Sequence, residues 1–294
     1  MKLLIEIPTW MGDTVMATPA ITNLISHFKY PEITLIGSSI STELLKNYNY
    51  LNKIIKLDKN FFTIFKTIRD HDNFDVFISF RGSFRSSLLK IFVKSKQKYQ
   101  FDKKKYDNGH MVTRYNDFIN DCIGTYNEPG KLFLKTQLNF KEDKLTKILG
   151  INPGASYGEA KRWYPKKFGK VAVDLSKHYD IVILGGPNEK EIADHVEECL
   201  INNNVKNYRN LAAKTSISEL VAEINNFDLL ITGDSGPMHI AAAFEIPTVS
   251  IFGPTKNEET SQWMNEKNII IKKNLDCQPC MKRTCPLKHH NCMK

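Results

Sequence analysis

The chain has 294 residues, of which 41% are hydrophobic and 25% charged, with a formal net charge of +9. This is a globular composition with length for two ordinary domains. No apolar run reaches the roughly 18–20 residues that cross a bilayer, and Glu6 and Pro8 interrupt the first apolar stretch, which excludes a signal peptide; a soluble, cytoplasmic protein is expected.

In chain order the pattern alternates strand and helix. Apolar runs at 3–7, 33–37, 53–57 and 75–80 predict strands, with helices over 20–28, 40–47 and 61–69 between them. A turn-rich stretch, 124–147, then separates this series from a second one. Strands follow at 148–152, 181–184, 228–232 and 248–252, with helices over 165–178, 189–200 and 217–226. Pro165 suits a first helical position, and Ser216 with Glu219 makes a capping box. Such alternation means parallel sheets covered by helices. Two Rossmann-like α/β domains are expected, an N-terminal one over 1–140 and a C-terminal one over 141–294. Ligands of open parallel sheets bind beyond the carboxyl ends of the strands, so the loops there carry the functional reading.

The first loop, PTWMGD at 8–13, brings Asp13 to the end of strand one. A carboxylate there acts as a general base on a hydroxyl or caps the next helix. Thr18-Pro19 is itself a cap and first position, which favours the former and leaves Asp13 in a loop. The second, NPGASYGEAKRW at 152–163, sets Gly154, Ser156 and Gly158 before Lys161 and Arg162. Small residues and cations after a strand suit a phosphate or make a solvated surface loop; the spacing is not that of a P-loop. In the third, LGGPNE at 184–189, Glu189 accepts hydrogen bonds from sugar hydroxyls or complements a helix dipole. The fourth, GDSGPMHIAAA at 233–243, runs from a strand through a glycine turn into a helix. It is either an anion cradle or a helix capped by Asp234 or Ser235.

Two compositional features remain. Much of the basic excess lies at 90–105 (KIFVKSKQKYQFDKKK), which reads as a face for nucleic acid or an acidic membrane, or as solvated lysines. Four of the six cysteines fall in the last eighteen residues. Cys277, Cys280, Cys285 and Cys292 read as a zinc site, as two disulfides or as idle thiols.

Together PTWMGDTVMATPA (8–20), GSFRSSLL (82–89), PGASYGEAKRW (153–163), LGGPNEKE (184–191), LAAKTS (211–216) and GDSGPMHIAAA (233–243) resemble glycosyltransferase family 9, the ADP-heptose:lipopolysaccharide heptosyltransferases. The PTWMGD and AKRW forms look more like type II, which adds the second heptose to the inner core. The resemblance implies a GT-B fold, with two Rossmann-like domains facing across a cleft. It implies inversion at the anomeric carbon without a divalent metal, ADP-heptose bound by the C-terminal half, and a lipopolysaccharide core acceptor bound by the N-terminal half at the cytoplasmic face of the inner membrane.

Carried over by motif, Asp13 is the expected catalytic base and Lys161 the cation on the donor phosphates. Ser156 is a donor contact, and Glu189 and Thr215 fall on the nucleoside side of the donor. Asp234, Ser235, Gly236 and His239 fall around diphosphate and heptose. Arg81 and Arg85 are candidate acceptor contacts, and the cysteine tail is expected to be structural. Many members continue through a further helix where this sequence stops at Lys294. The alternatives are a family transferase with another nucleotide sugar or acceptor, and a zinc-stabilised nucleic-acid-binding protein. The latter lacks a stacked-aromatic platform and leaves the Asp13 and Asp234 loops without a role, so no nucleic-acid partner is expected.

Overall fold

The computed structural model describes residues 1–29, 31–57, 73–138 and 146–294, and the chain divides into two compact units, Met1–Lys135 and Thr136–Lys294. The first is built on β1 (Lys2–Glu6), β2 (Glu32–Gly37), β3 (Leu51–Lys56), β4 (Phe74–Ser79) and β5 (Ser95–Gln100). These form one parallel sheet in the order β3-β2-β1-β4-β5. Helices cover both faces of central strands, so β1 and β4 read as continuous apolar runs; Leu3, Leu4, Ile5, Phe77 and Ile78 are buried. The strand order reverses at β1 and β4, which puts a ligand crevice beyond Glu6 and Ser79.

The helices of this unit are α1 (Met11–Met16), α2 (Thr18–His27), α3 (Ser39–Leu44), α4 (Phe84–Phe92) and α5 (Met111–Ile123). The helix expected over 61–69 lies outside the described residues. Helix α1 corrects one expectation. Thr18-Pro19 does start α2, but a short helix precedes it, so Asp13 sits in a first helical turn and not in a loop. Trp10 occupies the N-cap position without a side-chain cap bond. The loop before α1 is pinned instead by hydroxyls, with Thr14 Oγ1 and Ser41 Oγ both donating to the Pro8 carbonyl, at 3.1 and 2.6 Å.

Strand β5 and helix α5 do not follow from the apolar pattern. β5 is a polar edge strand, SKQKYQ, of the charged kind that resists edge-to-edge pairing. Helix α5 is fixed by rings: Phe80 packs edge-on to Tyr115 and Phe118, and Phe101 edge-on to Phe118.

The second unit holds β6 (Lys147–Asn152), β7 (Tyr179–Ile183), β8 (Tyr208–Asn210), β9 (Leu229–Gly233), β10 (Thr248–Phe252) and β11 (Asn268–Lys272). Their order, β11-β10-β9-β6-β7-β8, is again wholly parallel. Helices α6 (Pro165–Leu175), α7 (Lys190–Asn202), α8 (Ile217–Asn225), α9 (Gly236–Ala243) and α10 (Asn257–Thr260) complete it. Ser216 and Glu219 form the expected capping box on α8. Leu149, Ile151, Phe168, Ile181 and Val196 lie in one buried cluster. Here the order reverses at β6 and β9, whose ends meet with Asn152 paired to Thr232. Among the described residues no helix is long and apolar enough to cross a membrane.

Candidate active site

In the second unit the reversal point gathers the loops singled out in the sequence. Asn152, at the end of β6, donates from Nδ2 to Thr232 Oγ1 at 2.9 Å and to Ser235 Oγ at 2.8 Å. Ser235 stands at the N-cap position of α9 but makes no side-chain cap bond. The capping reading of this residue is therefore corrected: its hydroxyl is turned to Asn152. The Asp234 side chain does not cap either. Its Oδ2 accepts from Lys161 Nζ at 2.5 Å and from Thr255 Oγ1 at 2.6 Å. This ion pair is nearly closed to water, with Lys161 13% and Asp234 5% exposed. Gly236 opens α9 and His239 is buried within it. Helix N-termini present unpaired N–H groups and a positive dipole end, so a cation and a helix start lie at one strand-end turn.

Glu189 joins the second and third loops. It is buried, and it accepts from the Gly186 N–H at 2.8 Å and from Ser156 Oγ at 3.2 Å. Its carboxylate fills the space where a Cβ on Gly154 would lie, which is why that position needs glycine. The Ala213 N–H donates to the Gly185 carbonyl at 2.9 Å, drawing the loop of half-buried Thr215 to the same side. Glu189, Ser156 and Thr215 thus flank the β7 side of the cation-bearing turn.

The cysteine tail packs on the Lys161 loop. The Ala160 N–H donates to the Arg283 carbonyl at 3.0 Å and Tyr157 OH to the Met281 carbonyl at 2.9 Å. His290 Nε2 lies 3.1 Å from the Ala160 carbonyl. Lys161 Nζ sits over the Tyr157 ring, 4.8 Å from its centre. Cys277, Cys280, Cys285 and Cys292 are free thiols. They share a neighbourhood: burial first, then the charges of Cys280, Cys285 and Cys277, raise the Cys292 thiol. The His290 N–H leads the backbone bonds that lower Cys285. Among the described residues no group of three or more His, Cys, Asp or Glu is arranged to hold a metal ion.

In the first unit, Asp13 is half-buried. Its charge, after burial, is the next cause raising the hydroxyl of fully buried Tyr115. Arg81 and Arg85 converge on a residue that sequence reasoning passed over. Glu6, fully buried at the end of β1, accepts from Ser79 Oγ at 2.6 Å, Ser86 Oγ at 3.0 Å and Arg81 Nη1 at 3.2 Å. Burial raises its pKa, and the bonds from Ser79, Arg81 and Ser86 with the Arg85 charge oppose that rise. In the sequence Glu6 shows only as a break in an apolar run; a carboxylate as the last residue of a central strand was the available signal.

The model of glycosyltransferase family 9 (heptosyltransferase) matches residues 61–291. The chain belongs to glycosyltransferase family 9. It is 42% identical over its whole length to lipooligosaccharide heptosyltransferase 2 of Campylobacter jejuni subsp. jejuni serotype O:2, covering 94% of that protein. It is 23% identical to lipopolysaccharide heptosyltransferase 2 of Escherichia coli K12, over 92% of this chain and 88% of that one. Among solved structures, E. coli ADP-heptose lps heptosyltransferase II superposes with a TM-score of 0.80 at 23% identity, covering 93% of this chain and 91% of that chain. E. coli heptosyltransferase WaaC with ADP follows at 0.76 and 15%, covering 92% of each chain. Family membership makes the chain a glycosyltransferase of the GT-B fold, with two parallel-sheet α/β units.

Proposed function

We propose that this chain is an inverting heptosyltransferase. It moves heptose from ADP-L-glycero-D-manno-heptose to the inner core of lipopolysaccharide or lipooligosaccharide, as the second heptose. The observation that carries this is the end-to-end 42% identity to a lipooligosaccharide heptosyltransferase 2. In the reading, the N-terminal unit (1–140 by sequence) takes the acceptor and the C-terminal unit (141–294) the donor.

Lys161 and the first amides of α9, at Ser235 and Gly236, hold the diphosphate. Glu189, Ser156 and Thr215 take the nucleoside, and Asp234 and His239 flank the heptose. Asp13 accepts the proton of the acceptor hydroxyl as its oxygen bonds to the anomeric carbon. The bond from that carbon to the β-phosphate oxygen breaks, and ADP departs with both electrons of that bond. Fixed cations and oriented N–H groups stabilise such developing charge most where water is excluded; the near-closure of Lys161 to solvent supports that role. Arg81 and Arg85 meet carboxylates or phosphates of the core, as paired guanidinium groups do well.

No step uses a metal, so turnover in excess chelator is expected to equal turnover without it. Zinc on the cysteine quartet has no part in the chemistry, and metal analysis of the purified chain tests it as a structural ion. The proposed place of action is the cytoplasmic face of the inner membrane. The deciding experiment is transfer from ADP-heptose, against UDP- and GDP-sugars, onto truncated core oligosaccharides. Transfer onto a core bearing one heptose is expected, and preference for another donor overturns the reading.

A further inference from the structure

Helix α4 has two unlike sides. Leu89 and Ser86 are buried, and Leu89 packs with Leu4, Phe77 and Val93. On the other side Phe84 is 79% exposed, Ile91 67% and Phe92 56%. Residues seven apart lie two turns along one face of a helix, so Phe84 and Ile91 form the line of that side. Large apolar side chains grouped in water on a short helix mark a contact surface more than a folding need.

The stretch of sequence that carries this helix has charge of one sign. Between residues 76 and 101 there is no Asp or Glu, while Arg81, Arg85, Lys90, Lys94, Lys96 and Lys98 all fall there. Lys98 Nζ donates to the Ile91 carbonyl at 3.2 Å, which fixes a cation at the exposed end of the apolar line. Lys96, on the same face of β5, is 80% exposed and reaches Asp75 at 2.7 Å, answering the nearest acid. Aromatic and aliphatic residues on one face, flanked by lysines, form the pattern of a helix lying in a lipid interface. Anionic headgroups add attraction to each lysine near the surface. A single-stranded nucleic acid would call for stacked rings along a basic groove, whereas Ile91, two turns from Phe84 on this face, offers no stacking face.

We infer that α4 with the start of β5 is a membrane-docking surface, which seats Phe84, Ile91 and Phe92 in the headgroup layer of an anionic bilayer and sets Lys90, Lys94 and Lys98 against its charge. The inference stands on this surface and not on the identity of the acceptor. Joined to the proposed function, it holds the Arg81 and Arg85 end of α4 close to a lipid-borne glycan.

The test is flotation of the full chain with vesicles free of any lipopolysaccharide, of phosphatidylcholine alone or with about a third phosphatidylglycerol. The chain is expected to float with the anionic vesicles only, and to be released by high salt in part. Phe84→Ser with Ile91→Ser is expected to lower partitioning at least about tenfold. Lys90→Gln, Lys94→Gln and Lys98→Gln together should lower it by roughly one to two orders of magnitude. Thermal melting and ADP binding serve as controls, since neither set touches the donor loops. A chain that stays unbound to anionic vesicles overturns the inference. So does either variant set floating like the parent, or tight binding to a short RNA without vesicle binding. Failure of heptose transfer in solution leaves these outcomes unaffected, so the two readings fail separately.

Discussion

Gly158→Ala probes the hold of the tail on the cation loop. A Cβ at residue 158 would lie 2.5 Å from the Arg283 carbonyl oxygen and 2.9 Å from its Cα. Ordinary contact begins at 3.4 Å, so the backbone must yield by about 0.9 Å, and overpacking of this kind costs about 1–3 kcal/mol. The backbone of Gly158 is extended (φ 161°, ψ 164°), so no conformational strain adds to that. The displaced carbonyl is the acceptor of the Ala160 N–H, and losing that bond costs about another 1 kcal/mol. The tail is the less packed partner and is expected to move first, freeing the loop that presents Lys161. If about 2 kcal/mol of that order is needed to hold a diphosphate, ADP affinity falls about thirtyfold. Calorimetric titration with ADP measures this, and limited tryptic cleavage after Arg283 reports the tail. Gly130→Ala, where a Cβ meets nothing within 4 Å, is the control. Parent-like ADP affinity together with a parent-like cleavage pattern in Gly158→Ala would refute the bracing argument.

Asp13→Ala is expected to lower transfer by about 10²–10⁴-fold, the usual contribution of a general base, with ADP affinity within about twofold of the parent; loss of both, or retained transfer, removes Asp13 from that role. Glu6→Gln keeps the shape beside Ser79, Ser86 and Arg81 but not the charge, and is expected to raise the acceptor KM by about an order of magnitude with kcat little changed. Because burial raises the Glu6 pKa above its ordinary 4.5, its stabilising contribution is complete below that value and is lost as pH rises through the folded value. The variant should therefore gain on the parent in melting temperature as pH climbs from about 4.5 toward neutrality, and parallel curves count against this. Asp234→Asn is expected to melt earlier than the parent when empty, yet to show a larger upward shift with ADP; an equal or smaller shift contradicts the pairing argument below.

The central strands were legible because burial on both faces writes them as unbroken apolar runs, as in β1, β4, β6 and β9. The loops after them were legible because glycine and charge beside a strand end have few structural uses. What stayed hidden depends on partners distant in sequence. Glu6 meets Ser79 and Ser86, seventy-three and eighty residues away, so nothing local distinguishes it from a defect in the strand. The polar edge strand β5 has no apolar face to announce it, and the buried Arg114 and Asn116 of α5 disguise a helix fixed by ring contacts. The tail read as structural because its cysteines are dense, but which part of the fold it braces stayed hidden, since its contacts on the Lys161 loop run through backbone carbonyls, which carry no residue signature.

A carboxylate inside a site proposed for a diphosphate needs a physical reason. Asp234 and Lys161 are both nearly buried, where a lone charge is costly and removing one partner of a pair costs about 3–5 kcal/mol. While the site is empty, Asp234 neutralises Lys161 and, with Thr255 as a second tether, fixes where the ammonium points. An arriving diphosphate brings the charge that lets Lys161 be shared, and the carboxylate keeps its bond from Thr255. In the proposed cycle the pair closes again when ADP leaves, so that no bare buried ammonium is held. Asn at 234 removes the resting partner but not the incoming one. The cost then falls on the empty state, and binding relieves it. ADP, which has no heptose for residue 234 to touch, isolates this electrostatic term, and linkage makes it visible as the size of the ligand-induced melting shift.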